Sequence, residues 1–178
     1  MKSIVLLSGF LLSSVGAFAQ TTVFVFSNGF SGLNENPPVV SAATYTVNTL
    51  LHDAAGGTNG FGSFTVDISF FDLTTAASNA HIHGPVTSLT QNAGVASGGA
   101  LAYTAATSGT VTGVWDIPSQ ALLDDLFAGR LYVNLHSTTY PGGELRGQLA
   151  PIPEPSIFAL ALGALALGGV LWRRRRGS

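Results

Sequence analysis

Three histidines carry the clearest chemistry in this chain. His81 and His83 flank Ile82, so on an extended strand both imidazoles leave one face and Ile82 the other. His136 follows Leu135 in a second alternating segment, where Tyr132 and Asn134 share its face. A His-x-His pair joined by a distant third imidazole can hold copper or zinc through neutral ring nitrogens. Glu144 would then serve as a fourth ligand or as an acceptor behind the ligands. The same residues fit a second arrangement, a hydrogen-bonded network that closes a β domain. There Arg146 would lie against Glu144, and His81 and His83 would bond backbone groups. The sequence leaves both open. His52, beside Asp53 and before a Gly-rich turn, reads as a solvated loop pair.

Other chemistries lack their residues. The 178-residue chain has no Cys, which excludes a disulfide scaffold, thiolate metal sites and Cys nucleophiles. It has no Gly-x-Ser-x-Gly elbow, no phosphate-binding Gly loop, no His-Glu-x-x-His helix and no Asp-x-Asp-x-Asp-Gly calcium loop. Asp124 and Asp125 are adjacent on a predicted helix and point apart, which suits solvent better than a paired-carboxylate cleft. Catalytic residues are therefore not expected. Residues 20–150 carry only Arg130 and Arg146 against eight acids, a net charge of −6, and no Lys. Nucleic-acid binding needs a basic face to neutralise phosphates, and this segment offers none.

The elements that must position the histidines are strands. Phe64, Val66, Ile68 and Phe70 alternate with Thr65, Asp67 and Ser69, and Leu131, Val133 and Leu135 alternate with Tyr132, Asn134 and His136. Leu145, Gly147 and Leu149 alternate with Glu144, Arg146 and Gln148. Each has the period of a half-buried strand. Residues 131–149 read as a hairpin around Thr139-Tyr140-Pro141-Gly142-Gly143, which sets the polar row Asn134 and His136 beside Arg146 and Gln148. Val23–Phe26, Ala42–Val47, Gly99–Thr104 and Thr110–Trp115 are further strand candidates. About seven or eight short strands predict an all-β antiparallel sandwich or barrel. One short helix is expected after Ser119 as N-cap, with a stripe of Leu122, Leu123, Leu126 and Phe127 and a stop at Gly129. It should cover one open end of the sandwich. The small, polar loop 87–99 is expected to be the least ordered part.

Both ends read as addresses. Lys2 precedes an apolar run to Phe18, and Ala17-Phe18-Ala19 is a small-x-small site for signal peptidase, so the mature chain is expected to begin at Gln20. Residues 151–178 form a tail: Pro153-Glu154-Pro155, an apolar stretch 157–172, then Arg173, Arg174, Arg175 and Arg176. Sixteen helical residues span roughly 24 Å, and interfacial Trp172 and Arg side chains can extend that to a single transmembrane helix. The Arg cluster should stay cytoplasmic, placing 20–150 outside the inner membrane. This tail resembles the PEP-CTERM sorting signal of Gram-negative bacteria. The resemblance implies recognition by an exosortase, a transient stay in the inner membrane, removal of the tail near Pro-Glu-Pro, and delivery to the cell surface or extracellular matrix.

The middle resembles the CHRD domain. Three blocks carry the likeness: Leu33-Asn34-Glu35-Asn36-Pro37-Pro38-Val39, Ala80-His81-Ile82-His83-Gly84-Pro85, and Leu131 to Ser137 followed by Pro141-Gly142-Gly143-Glu144-Leu145-Arg146-Gly147-Gln148-Leu149. The resemblance implies an all-β extracellular module without established enzymatic activity. The His-x-His pair also resembles part of the Cu/Zn superoxide dismutase site, but that enzyme needs more His ligands, a zinc-site Asp and a disulfide. The resulting expectation is a non-enzymatic surface or matrix module that binds a surface polysaccharide or protein. The alternative is a periplasmic or surface protein binding copper or zinc.

Overall fold

The computed structural model describes residues 20–153. The expected signal residues Ala17 and Ala19, and Glu154, Pro155, the 157–172 stretch and Arg173 to Arg176 of the tail, lie outside the described residues. Among the described residues no helix is long and apolar enough to cross a membrane.

Eight antiparallel strands form one sheet: β1 (Thr21–Phe26), β2 (Thr44–Asp53), β3 (Ser63–Phe71), β4 (Ala77–His83), β5 (Ala102–Tyr103), β6 (Gly109–Asp116), β7 (Tyr132–Ser137) and β8 (Leu145–Pro151). Their order is β4-β7-β8-β1-β2-β3-β6-β5. Strand β1 joins the two halves, because Thr21 to Val23 pair with β2 while Phe24 to Phe26 pair with β8. The ends of the sheet nearly meet. Leu101 N–H donates to Ala80 O at 2.8 Å and Ala96 N–H to Ile82 O at 2.8 Å, so the chain entering β5 runs along the free edge of β4. The result is a nearly closed barrel, the all-β architecture that the alternation predicts.

The apolar members of each alternation fill the barrel. Phe64, Val66, Ile68 and Phe70 from β3, Ala80 and Ile82 from β4, and Leu131, Val133 and Leu135 at β7 are all buried. The helix α1 (Gln120–Phe127) has Ser119 as its N-cap, accepting from Leu122 N–H, and stops before Gly129 at φ +71°. It closes one end through buried Leu126, and Phe127 sets its ring edge-on to Phe24 at 5.5 Å. Asp125 meets Arg130, and Asp124 accepts from Gln120.

Two expectations are corrected here. Strand β2 continues past Val47 to Asp53, so His52 is a strand residue and not part of a solvated loop. It is buried, its Nε2–H donates to Phe61 O at 3.2 Å, and its ring meets Phe127 edge-on. The alternation Leu50, His52 carries it inward. Of the candidate Gly99–Thr104, only Ala102–Tyr103 pairs as a strand.

The outer face of the β7–β8 hairpin is the unusual one. Asn134 lies opposite Arg146 and Tyr132 opposite Gln148, the pairing expected of the polar row. Yet every residue of β7 is buried, as are the first five of β8. The segments around 28–36 and 90–93 fold over this face. The Arg146 guanidinium, 1% exposed, is their anchor: Nη1 donates to Asn92 Oδ1 at 3.2 Å, Nη2 to Gln91 O at 2.9 Å, and Cζ sits 3.6 Å from the Tyr132 ring centroid. Asn36 and Asn92 tie the two segments together, through Asn92 Nδ2–H to Asn36 O and Asn36 Nδ2–H to Thr90 O. The loop 87–99 is therefore pinned at its middle. Replacing Arg146 by Met keeps the bulk and leaves Gln91 O and Asn92 Oδ1 without their donor. The expected loss is about 2–4 kcal/mol in denaturant unfolding, with hydrogen-exchange protection falling first at residues 90–93.

Candidate metal centre

Register brings the three histidines together. In the β4–β7 pairing His81 lies opposite Asn134, Asn79 opposite His136 and His83 opposite Tyr132. All three imidazoles leave the outer face, while Ala80, Ile82, Val133 and Leu135 fill the core. Ring centroids stand 5.3 Å apart for His81–His83 and for His81–His136, and 5.8 Å for His83–His136. One ligand nitrogen from each falls within 4.8 Å of the others.

The backbone sets the tautomers. His83 Nδ1–H donates to Ala93 O at 2.9 Å, and His136 Nδ1–H donates to Pro141 O at 3.0 Å. Both Nε2 atoms are thereby left as lone pairs. His136 Nε2 sits 3.2 Å from His81 Nδ1, close to the roughly 3.3 Å that two nitrogens keep on a tetrahedral zinc at about 2.0–2.1 Å. His83 Nε2 is buried with no hydrogen-bond partner. A hydrogen-bonded network accounts for the Nδ1 atoms but leaves this buried acceptor idle, as it leaves Asn134 Oδ1 and Gln148 Oε1; among these only His83 Nε2 belongs to the imidazole cluster. The donor set, three imidazole nitrogens within 4.8 Å of one another, fits a copper or zinc ion.

Electrostatics favour the ligand form. Burial lowers the pKa of all three imidazoles, and of His136 to about 4. Neighbouring imidazoles lower those of His81 and His136 further, and Arg146 that of His83. Neutral rings need no proton displaced before a metal binds.

The structure separates Glu144 from this cluster. Its Oε1 accepts from Ser41 Oγ at 2.7 Å and from Thr74 N–H and Oγ1 at 2.8 and 2.9 Å. Burial alone would raise its pKa, but hydrogen bonds from Ser137, Thr74 and Ser41 outweigh that and lower it. Glu144 is thus an anchor for the 41 and 74 segments, and Arg146 does not pair with it. Gln148 instead ties Asn28 Oδ1 through its N–H and Gly129 O through Nε2.

A carboxyl that the motif search passed over does belong to this face. Glu35 ends the one-turn 3-10 helix Gly32–Asn34 and is 7% exposed. Its Oε1 meets the Asn134 side chain over Gly143, whose φ of +135° and lack of a Cβ leave the room both need. Burial raises the Glu35 pKa to about 7, against the Arg146 charge and the Asn134 amide, which lower it. Position 35 stands within the Asn-Glu-Asn-Pro-Pro block, the one signal in the sequence that could have marked it. Because the folded carboxyl holds its proton to a higher pH than the unfolded one, its contribution to stability is full below about 4.5 and is lost as pH rises through about 7. Thermal melts of the metal-free chain should therefore show Glu35→Gln gaining about 2–3 kcal/mol on wild type between pH 5 and pH 8. Parallel pH profiles for the two would remove the buried proton from Glu35.

The chain matches the CHRD domain over residues 26–149. No curated protein and no solved structure matches it. The matched span contains all three imidazoles, Glu35, Tyr132 and Arg146, and CHRD is not an enzyme family. Over residues 26–149, from the end of β1 into β8, this chain belongs to the CHRD domain family.

Proposed function

We propose that this CHRD domain is an exported, non-enzymatic surface module that holds one copper or zinc ion between His81, His83 and His136. The buried, unpartnered Nε2 of His83, aimed with two other imidazoles at one point, is the observation that carries the metal reading. Ala93 O and Pro141 O would orient two of the ligands, as acceptors behind metal-bound imidazoles commonly do. The ion would supply a fixed positive centre and cross-link β4 to β7, so binding would add to fold stability by mass action.

The full chain, purified without chelator or His tag, should carry about one copper or zinc by inductively coupled plasma mass spectrometry. His136→Ala should weaken binding at least about tenfold, because it removes a direct ligand. No metal after incubation and desalting would overturn the reading and leave the cluster a polar closure of the hairpin.

Delivery rests on the sequence. The export signal ending at Ala19 and the Pro153-Glu154-Pro155, apolar and Arg173–Arg176 tail support passage through the inner membrane, exosortase processing, and release to the cell surface or matrix. At the surface, polysaccharide or protein would be the partner, since a Lys-free domain of net negative charge stays soluble there. Deleting Arg173 to Arg176 should trap or misorient the chain, seen as loss from the surface fraction and an unprocessed C-terminus. Normal surface delivery of the truncated chain would overturn this route.

A further inference from the structure

The imidazole cluster is covered on one side and open on the other. The segment 91–95 lies over His83, through Ala93 O on its Nδ1 and the bridge between His83 and Val95. On the opposite flank a cavity of about 220 Å³ reaches the cluster, lined by Ser78, Asn79, His81, His136 and Pro141. A purely structural metal site has its coordination shell filled by protein. This one offers three protein nitrogens and a cavity several times the volume of a water molecule. Among the described residues no Cys, Asp, Glu or further His joins the three imidazoles, and Glu144 is bound to Ser41 and Thr74.

The charge balance decides what enters. Three neutral imidazoles leave a divalent ion's full charge uncompensated. The cavity wall contains no carboxylate, and the Arg146 guanidinium adds its own positive field at His83. Asn79 uses its Oδ1 on the Ala80 N–H at 3.0 Å, which leaves its Nδ2 as a donor, and the Ser78 hydroxyl is a second. A positive centre faced by hydrogen-bond donors in a small cavity selects small anions over neutral or cationic molecules.

Resting on the metal reading above, we propose that the ion keeps an open position toward the Ser78–Asn79 cavity and there takes a small inorganic monoanion from solution. The anion would bond the metal at one end and the Asn79 amide or Ser78 hydroxyl at the other.

Azide is the probe. The full chain loaded with Cu(II) is titrated with sodium azide, followed by electron paramagnetic resonance and by the copper–azide charge-transfer absorption. The expected result is a saturable change with one azide per copper. Asn79→Ala should weaken azide about fivefold, the equivalent of one ordinary hydrogen bond, with copper per chain unchanged. A copper spectrum that azide does not move, in a chain whose copper is lost in His136→Ala, would overturn the open position and leave the metal site standing. Equal azide affinity in wild type, Asn79→Ala and Ser78→Ala would overturn the cavity as the anion's seat. A chain that takes up no copper would overturn the metal reading itself, and this inference with it.

Discussion

A buried guanidinium without a carboxylate partner is the constraint around which this domain is arranged. Arg146 is 1% exposed, and the ion pair among the described residues is that of Arg130 with Asp125. A charge taken out of water must be solvated by the protein or the fold fails. Here the solvation comes from a carbonyl, an amide oxygen and an aromatic face: Gln91 O, Asn92 Oδ1 and the ring of Tyr132. Two of the three belong to a loop that has no regular secondary structure to hold it. The loop gains its place by supplying acceptors to Arg146, and Arg146 can be buried only because the loop arrives.

That mutual dependence reaches the histidines through one residue. Ala93 directly follows the two acceptors of Arg146. Its N–H donates to the Tyr132 hydroxyl at 3.1 Å, and its carbonyl accepts from His83 Nδ1. The His83 ring in turn stacks on Tyr132, with centroids 5.3 Å apart and planes 12° from parallel. Guanidinium, phenol and imidazole thus share one ring and one short segment. The tautomer of His83 is fixed by the same loop that solvates the charge. His136 is fixed separately, by Pro141 O in the hairpin turn, and that turn carries Gly143 over the Glu35–Asn134 contact. The polar face is one connected network, and His83 Nε2 is one of its buried acceptors without a partner, with Asn134 Oδ1, Gln148 Oε1 and Glu35 Oε1.

Much of this was legible in the sequence, for a physical reason. Period-two alternation determines which residues leave which face of their own strand, so Ile82, Val133 and Leu135 had to enter the core and His81, His83 and His136 to point away from it; that β4 pairs with β7 and brings the three together was not readable from the sequence. The hairpin turn then set Asn134 opposite Arg146. What alternation does not encode is which loops cover a polar face. Composition made 87–99 look poorly ordered, because small polar residues carry little apolar area. Its middle is nonetheless tied down by acceptors offered to a distant Arg. The same blindness affected Glu144, whose strand parity suggested the imidazoles while its carboxylate found the hydroxyls of Ser41 and Thr74. It also affected His52, read as a loop residue before the Gly-rich turn although β2 runs on to Asp53.

The position of the cluster follows from where this cover ends. Along β7 the polar row runs from Tyr132, beneath Arg146 and the 91–93 segment, to His136 at the rim of the cavity beside Ser78 and Asn79. Under the cover the Arg146 guanidinium and the Tyr132 hydroxyl are tied to the 91–93 segment. At the rim His83 and His136 each have Nδ1 tied to backbone and Nε2 turned to the cluster, and His81 and His136 border the cavity. A site that must be rigid yet accessible requires that division, because rigidity comes from satisfied polar partners and access requires their absence. The buried Arg146 network supplies the first condition, and the edge of β4, where the pinned loop turns away, supplies the second.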